Sequence, residues 1–347
     1  PVDAGVDAWV DPYEQAVFSA QWTKLANAPS ASFGAKMDDL FFVGKKVAFA
    51  ANGPGFAISK TEDGGDTWAT AISKPGTYFR AVAFLDDKHG FAGNLGAGLS
   101  ADISDENALY ETKDGGKTWD PVTAITGPKP AGICNLYVVD AQHVIAVGRA
   151  NGPAHFLASS DGGATWTSTD LGSQMRMLID ARFSSPTEGV VVGMGAGTGV
   201  CTVLRTTDGG KSFSKVFEST TKSTLCWKVH FPSDKIGYVA VQDTSSGPAT
   251  FAKTSDGGAT WVEKPLPVKA SAKGAFPAIG IGFIDDRIGW VAPEDSKLPV
   301  YRTKDGGETW EEDPTLKAPI NRFRFLDKNT GYAIGANVWK LTVPPTP

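Results

Sequence analysis

The stretch T303-K-D-G-G-E-T-W310 decides the fold, because the chain writes it six times. The other copies are T61-E-D-G-G-D-T-W68, T112-K-D-G-G-K-T-W119, S159-S-D-G-G-A-T-W166, T206-T-D-G-G-K-S-F213 and T254-S-D-G-G-A-T-W261. Their aspartates, Asp63, Asp114, Asp161, Asp208, Asp256 and Asp305, stand 51, 47, 47, 48 and 49 residues apart. A near-constant period of that length has room for four short strands per unit, the signature of a propeller. Each copy carries the chemistry of a tight turn. The Asp carboxylate accepts from N–H groups of its own turn, and the glycines permit positive φ where the chain reverses. The last aromatic, which is Trp68, Trp119, Trp166, Phe213, Trp261 or Trp310, has area to bury between neighbouring units.

One full unit shows the grammar. Arg80-Ala-Val-Ala-Phe84 is apolar and strand-like, DDKHG is a turn, and Phe91-Ala-Gly93 and Leu109-Tyr-Glu-Thr112 follow as strands. The box then makes the turn, and Trp119 opens a fourth strand. The pattern recurs in D180ARFSSPTEGVVVG193, K228VHFPSDKIGYVA240, G280IGFIDDRIGWVA292 and R322FRFLDKNTGYAIG335. After the sixth box the chain supplies three more strands, ending in N337-VWKLTV, with no box behind them. Near the start, Q21-W22-T-K-L25 reads as a fourth strand with no unit before it. Together these remnants make a seventh unit, which removes the open edge a broken ring would expose. The expectation is an all-β, seven-bladed propeller of four-stranded antiparallel blades. The boxes lie in the third-to-fourth strand turns, and the N-terminal strand closes the last blade. Residues 20–343 form the propeller, residues 1–19 an acidic linker or tether, and residues 344–347 a tail.

Composition narrows the function. The 347 residues are 41% hydrophobic and 20% charged, as in an ordered globular protein. A net charge of −5 excludes general nucleic-acid binding, which needs a strongly basic surface. The sequence has no apolar run of the roughly 18 residues a membrane-spanning helix needs. The opening PVDAGVDAWVDP is either an arbitrary boundary or the start of an exported protein after loss of a signal peptide, with a lipid anchor as a further expectation. Three cysteines without metal-type spacing favour an oxidising, extracytoplasmic compartment.

No catalytic constellation emerges. G116-K-T118 and G210-K-S212 imitate the end of a phosphate-binding loop, but the required upstream glycine falls on Glu111 and Arg205. His89 and His143 occupy equivalent turns and read as solvated, while His155 and His230 read as isolated structural residues. No metal or cofactor is expected.

Charge placement points to binding. Loops between blades carry Lys36, Lys74, Lys129, Arg176, Lys222, Lys269 with Lys273, and Lys317. The opposite face carries Asp86, Asp87, Asp140, Glu188, Asp234, Asp285, Asp286 and Asp327, and the innermost strands add Arg80, Arg182, Lys228, Arg322 and Arg324 near the central channel. One account is a face that steers an acidic partner, and the other is lysines solvated in loops. The long loop G93-NLGAGLSADISDENA108 lies on the basic face and either caps the channel or stays disordered. Cys201 and Cys226 both begin strands near that face. They are either a disulfide, worth about 3–4 kcal/mol by chain entropy, or small buried hydrophobes, with Cys134 unpaired in both cases.

The repeated phrase resembles the Asp box of the BNR-repeat superfamily. With the four-strand grammar and the blade count, the chain over about residues 20–343 resembles the photosystem II stability/assembly factor family. That resemblance implies a non-catalytic, extracytoplasmic propeller that binds a protein partner in assembly or in a surface complex, and architectural boxes. Sialidases and xyloglucan hydrolases share the box, so a carbohydrate-active or glycan-binding propeller is the alternative. A sialidase implies an F/Y-R-I-P motif, of which Tyr78-Phe79-Arg80-Ala81 lacks the Ile-Pro.

Overall fold

Each repeat alternates apolar runs with turn residues, and each folds as antiparallel strands stacked outward from a central axis. The computed structural model describes residues 11–32, 35–243, 249–268 and 277–345. Seven sheets result. Their innermost strands are Asp39–Val43, Phe79–Phe84, Asn135–Val138, Met175–Phe183, Thr224–His230, Ala278–Phe283 and Ile320–Asp327, one in each of blades one to seven. Neighbouring sheets bury aromatic and aliphatic side chains between them, as where Phe91 of blade two meets Trp166 of blade three edge-on at 5.4 Å.

The chain's own start completes the ring. Trp22–Lys24 pairs antiparallel with Val338–Thr342, placing Trp22 opposite Leu341. Trp22 is 3% exposed and meets Trp290 of blade six at 5.5 Å and Phe323 at 5.8 Å.

Each box builds the same turn. In blade three, Asp161 Oδ1 accepts from Thr165 N at 2.9 Å and Ser159 Oγ at 2.8 Å, and Oδ2 accepts from Thr165 Oγ1 at 2.6 Å. Ser159 Oγ in turn accepts from Gly163 N at 2.8 Å, and Trp166 Nε1 donates to Gly163 O at 3.1 Å. Gly163 has φ +91°, and a Cβ there would lie 2.0 Å from the Phe91 ring of the preceding blade, so conformation and space both demand glycine. Donors from Thr165 hold the Asp161 carboxyl below the usual range.

Two elements depart from the expected plan. Residues 12–19, expected as part of a linker, form the helix Pro12–Ser19, with Asp11 accepting from Tyr13 N at 3.0 Å as its cap. Val17 is buried against blades six and seven, Arg287 reaches Asp11 at 2.8 Å, and Tyr13 donates to Lys328 O at 2.6 Å. Blade three gains a fifth strand, Ile125–Thr126, which runs parallel to the outer strand Trp166–Asp170. Cys201 and Cys226 are bonded, tying blade four to blade five, and Cys134 is free and buried.

Candidate binding site

A register irregularity at one height organises the channel. The pairing of innermost and second strands shifts between Phe79 and Ala81, Leu178 and Asp180, Cys226 and Lys228, Ala278 and Gly280, and Ile320 and Arg322. Each shift leaves one extra residue, namely Arg80, Ile179, Trp227, Ile279 and Asn321. A bulge re-aims side chains, so consecutive residues such as Trp227 and Lys228 both reach the channel cluster.

Below that ring lies a ladder of buried charge. Arg322 spans from Asp39 of blade one, 2.9 Å away, to Asp180 of blade four, 3.1 Å away. Arg324 also reaches Asp39 at 2.9 Å. Asp180 and Asp39 are both 0% exposed, and Asp180 Oδ2 additionally accepts from Val229 N at 3.0 Å. Burial pushes the Asp180 carboxyl up, but Arg322 and Lys228 outweigh it and hold the carboxyl low. For Lys228, 3% exposed, the balance is reversed. Burial, helped by Arg322 and opposed by Asp180, pushes its ammonium down to about 7.

That depression has a testable sign. From about pH 8 to about pH 10 the unfolded chain holds the Lys228 proton and the folded chain does not, so stability rises with pH over that window. Wild-type stability relative to Lys228→Met is therefore expected to climb by about 1.4 kcal/mol per pH unit there. Urea unfolding of both proteins across the window measures it, and a flat difference removes Lys228 from the account.

Around the mouth, Trp227 gathers three cations. Lys36 Nζ lies 5.1 Å, Arg80 Cζ 5.0 Å and Lys228 Nζ 5.5 Å from its ring centroid. Asn321 fixes the indole by accepting from Nε1 at 2.7 Å. Arg80 donates through Nη1 to Asp38 at 3.1 Å and lies beside the buried Cys134 thiol. Beside this cluster opens a cleft of about 510 Å³, lined by Ser30, Lys36, Tyr78, Glu294, Pro319 and Asn337. Lys36 pairs with Glu294 across it at 2.7 Å. Leu95, Met177 and Leu225, with Tyr78 and Trp227 against them, form an apolar cluster near the same end.

The channel residues read from sequence thus converge, but they arrive paired. Arg322 and Arg324 are occupied by carboxylates, and Arg182 lies over the Tyr137 ring at 5.0 Å. Two of the loop lysines, Lys74 and Lys129, are also engaged. Lys74 binds Asp105 at 2.7 Å and contacts Tyr110, and Lys129 lies 3.3 Å from Glu106. Loop 93–108 therefore folds back onto its neighbours. Burial pushes the Asp105 carboxyl up, but donors from Lys74, Thr77 and Tyr110 prevail and hold it low. Lys269 and Lys273 lie outside the described residues. On the opposite face Asp86, Asp140 and Asp285 cap their own turns, which explains their recurrence. Sequence reasoning missed Asp38, Asp39, Asp180 and Trp227. The carboxylate written into the apolar run M177-L-I-D-A181 was the available signal.

Comparison with known proteins places this architecture. No family model matches the chain. Over 70 residues it is 31% identical to the photosystem II stability/assembly factor HCF136 of Cyanidioschyzon merolae, a match covering 19% of the chain and 16% of that protein. YCF48 bound to D1 peptide aligns over 94% of the chain and 97% of its own, with a TM-score of 0.66 and 17% identity. YCF48 from Cyanidioschyzon merolae aligns over 94% and 99%, with a TM-score of 0.65 and 18% identity. The chain shares the propeller fold of the YCF48 structures. A GH74 xyloglucanase from Xanthomonas campestris has the same fold over 92% of the chain and 53% of its own, with a TM-score of 0.65 and 14% identity. A xyloglucanase and a protein solved with a bound peptide both use this scaffold, so the fold leaves the role to the site.

Proposed function

We propose that the protein is a non-enzymatic, extracytoplasmic propeller that binds an acidic segment of a protein partner at the channel mouth. The observation that carries this reading is Trp227 with Lys36, Arg80 and Lys228 around its ring. An incoming carboxylate would compete with Glu294 for Lys36, and the apolar cluster gives its neighbours area to bury. The Cys201–Cys226 bond supports an oxidising compartment. The solved complex of YCF48 with a D1 peptide supports peptide binding as a use of this fold.

Lys36→Glu places a carboxylate beside Glu294 at the mouth, and Trp227→Ala removes the platform. Each is expected to weaken acidic-peptide binding by about tenfold or more, with an affinity that falls as salt rises. Fluorescence anisotropy with a panel of acidic peptides checks it. Binding that is insensitive both to salt and to these substitutions refutes the reading, and selective glycan binding would favour the carbohydrate alternative.

A further inference from the structure

The outer edges of the blades differ in a way that assigns one of them a partner. An exposed edge strand offers unpaired N–H and C=O groups, and proteins blunt such edges with charge or proline. Five outer strands carry such residues: Lys24 in Trp22–Lys24, Asp120–Pro121, Lys215 and Glu218 in Ser214–Glu218, Glu263 to Pro265 in Val262–Pro265, and Glu311–Glu312. Two do not. Trp166–Asp170 is uncharged over its first four residues, and Ala69–Ser73, of sequence ATAIS, is uncharged throughout.

The chain covers the first of these itself. Residues 125–126 pair in parallel with Trp166 and Thr167, Trp166 N donates to Ala124 O at 2.9 Å, and Thr126 Oγ1 donates to Trp166 O at 3.2 Å. Trp166 is 1% exposed. In blade one the connection to the next blade is only residues 74–78, and Ala69–Ser73 remains the terminal strand of its sheet. Trp68 there is only half-buried. Along this edge runs a groove of about 480 Å³, walled by Lys60, Glu62, Trp68, Thr70, Gly116 and Lys117, in which Glu62 pairs with Lys60 at 2.6 Å and leaves Lys117 as the cation for a partner. The registers are equivalent as far as Thr70, since Ala69 stands opposite Lys60 as Thr167 stands opposite Ala158, and blade one then bulges at Ala71. Trp68 and Thr70 therefore turn their N–H groups outward as Trp166 does.

We propose that an extended segment of a partner protein, carrying a carboxylate for Lys117, adds to Ala69–Ser73 as a fifth strand, parallel to it in the manner of residues 125–126. Small or β-branched residues, like A124-I-T126, suit the approach to Ala69 and Ala71. This surface is on the rim of the ring, and its test is run on the Lys36→Glu protein, whose mouth is impaired, so that failure here is distinguishable from failure there.

Selection of the whole protein against a displayed library of random eight-residue peptides tests the proposal. Enriched peptides are expected to be extended and acidic, and to slow amide exchange at Trp68 and Thr70. Thr70→Pro removes an outward donor at an edge where blades two and five already carry proline. It should weaken binding by about tenfold while the melting temperature stays near wild type. N-methylation of alternate amides in the selected peptide should do the same without altering the protein. No enrichment, protection away from this edge, or affinity unchanged by both manipulations overturns the proposal. Self-association of wild type that Thr70→Pro abolishes would assign the edge to a second copy instead, and would likewise overturn it.

Discussion

Replacing Asp180 with asparagine is expected to lower the unfolding free energy by about 3–5 kcal/mol, measured by chemical denaturation. The substitution keeps shape and removes charge. Arg322 keeps Asp39 at 2.9 Å, but the carboxylate 3.1 Å away on the far side of the channel is gone, and Lys228 loses its main counter-charge. Arg322 and Arg324 would then share the single carboxylate of Asp39. The Asp180–Arg322 pair spans blades four and seven across the ring, so local refolding of one blade cannot restore it. Converting Arg322 to Met in the same background should recover part of the loss, since removing both charges is gentler than orphaning one. A change below about 1 kcal/mol for the single variant would mean that water reaches the ladder and screens it.

The second large effect concerns the box aromatics, whose shared place in the repeat conceals unequal burial. Trp166→Ala is expected to cost about 3–5 kcal/mol. The ring is 1% exposed, meets Phe91 edge-on, packs with Leu136, Val144 and Leu157, and is overlaid by Ile125. The same change at Trp68, half-buried beside an open groove, should cost clearly less. Thermal and urea unfolding of the two variants side by side decide it. Equal losses would show that the box, and not its surroundings, sets the energy.

That contrast marks how far the sequence could be read. Period, blade count and the closing strand at Trp22 were legible because each blade repeats local rules of turn and strand, and local rules are written in consecutive residues. The helix Pro12–Ser19 was overlooked although Asp11-Pro12 is a start signal, because a single short helix shows little periodicity in an all-β chain. Two residues, 125 and 126, made the fifth strand, too few for any pattern. The channel resisted for a different reason. Arg80, Lys228 and Arg322 could be placed near the axis from their strands. Their partners, however, lie on other blades, 142 residues away in the case of Asp180 and Arg322, and only ring closure brings them together. The bulges that turn Arg80, Trp227 and Asn321 inward are a property of strand register, which composition does not encode.

The docked helix also fixes where the chain enters the ring. It grips Arg287 and Lys328, in turns at the far ends of the innermost strands, while Tyr78, Trp227 and Asn321 stand toward their near ends. Immobilising the protein on a sensor surface through the helix Pro12–Ser19 would thus point the Trp227 platform at the solution, whereas capture through a loop between blades would risk burying it.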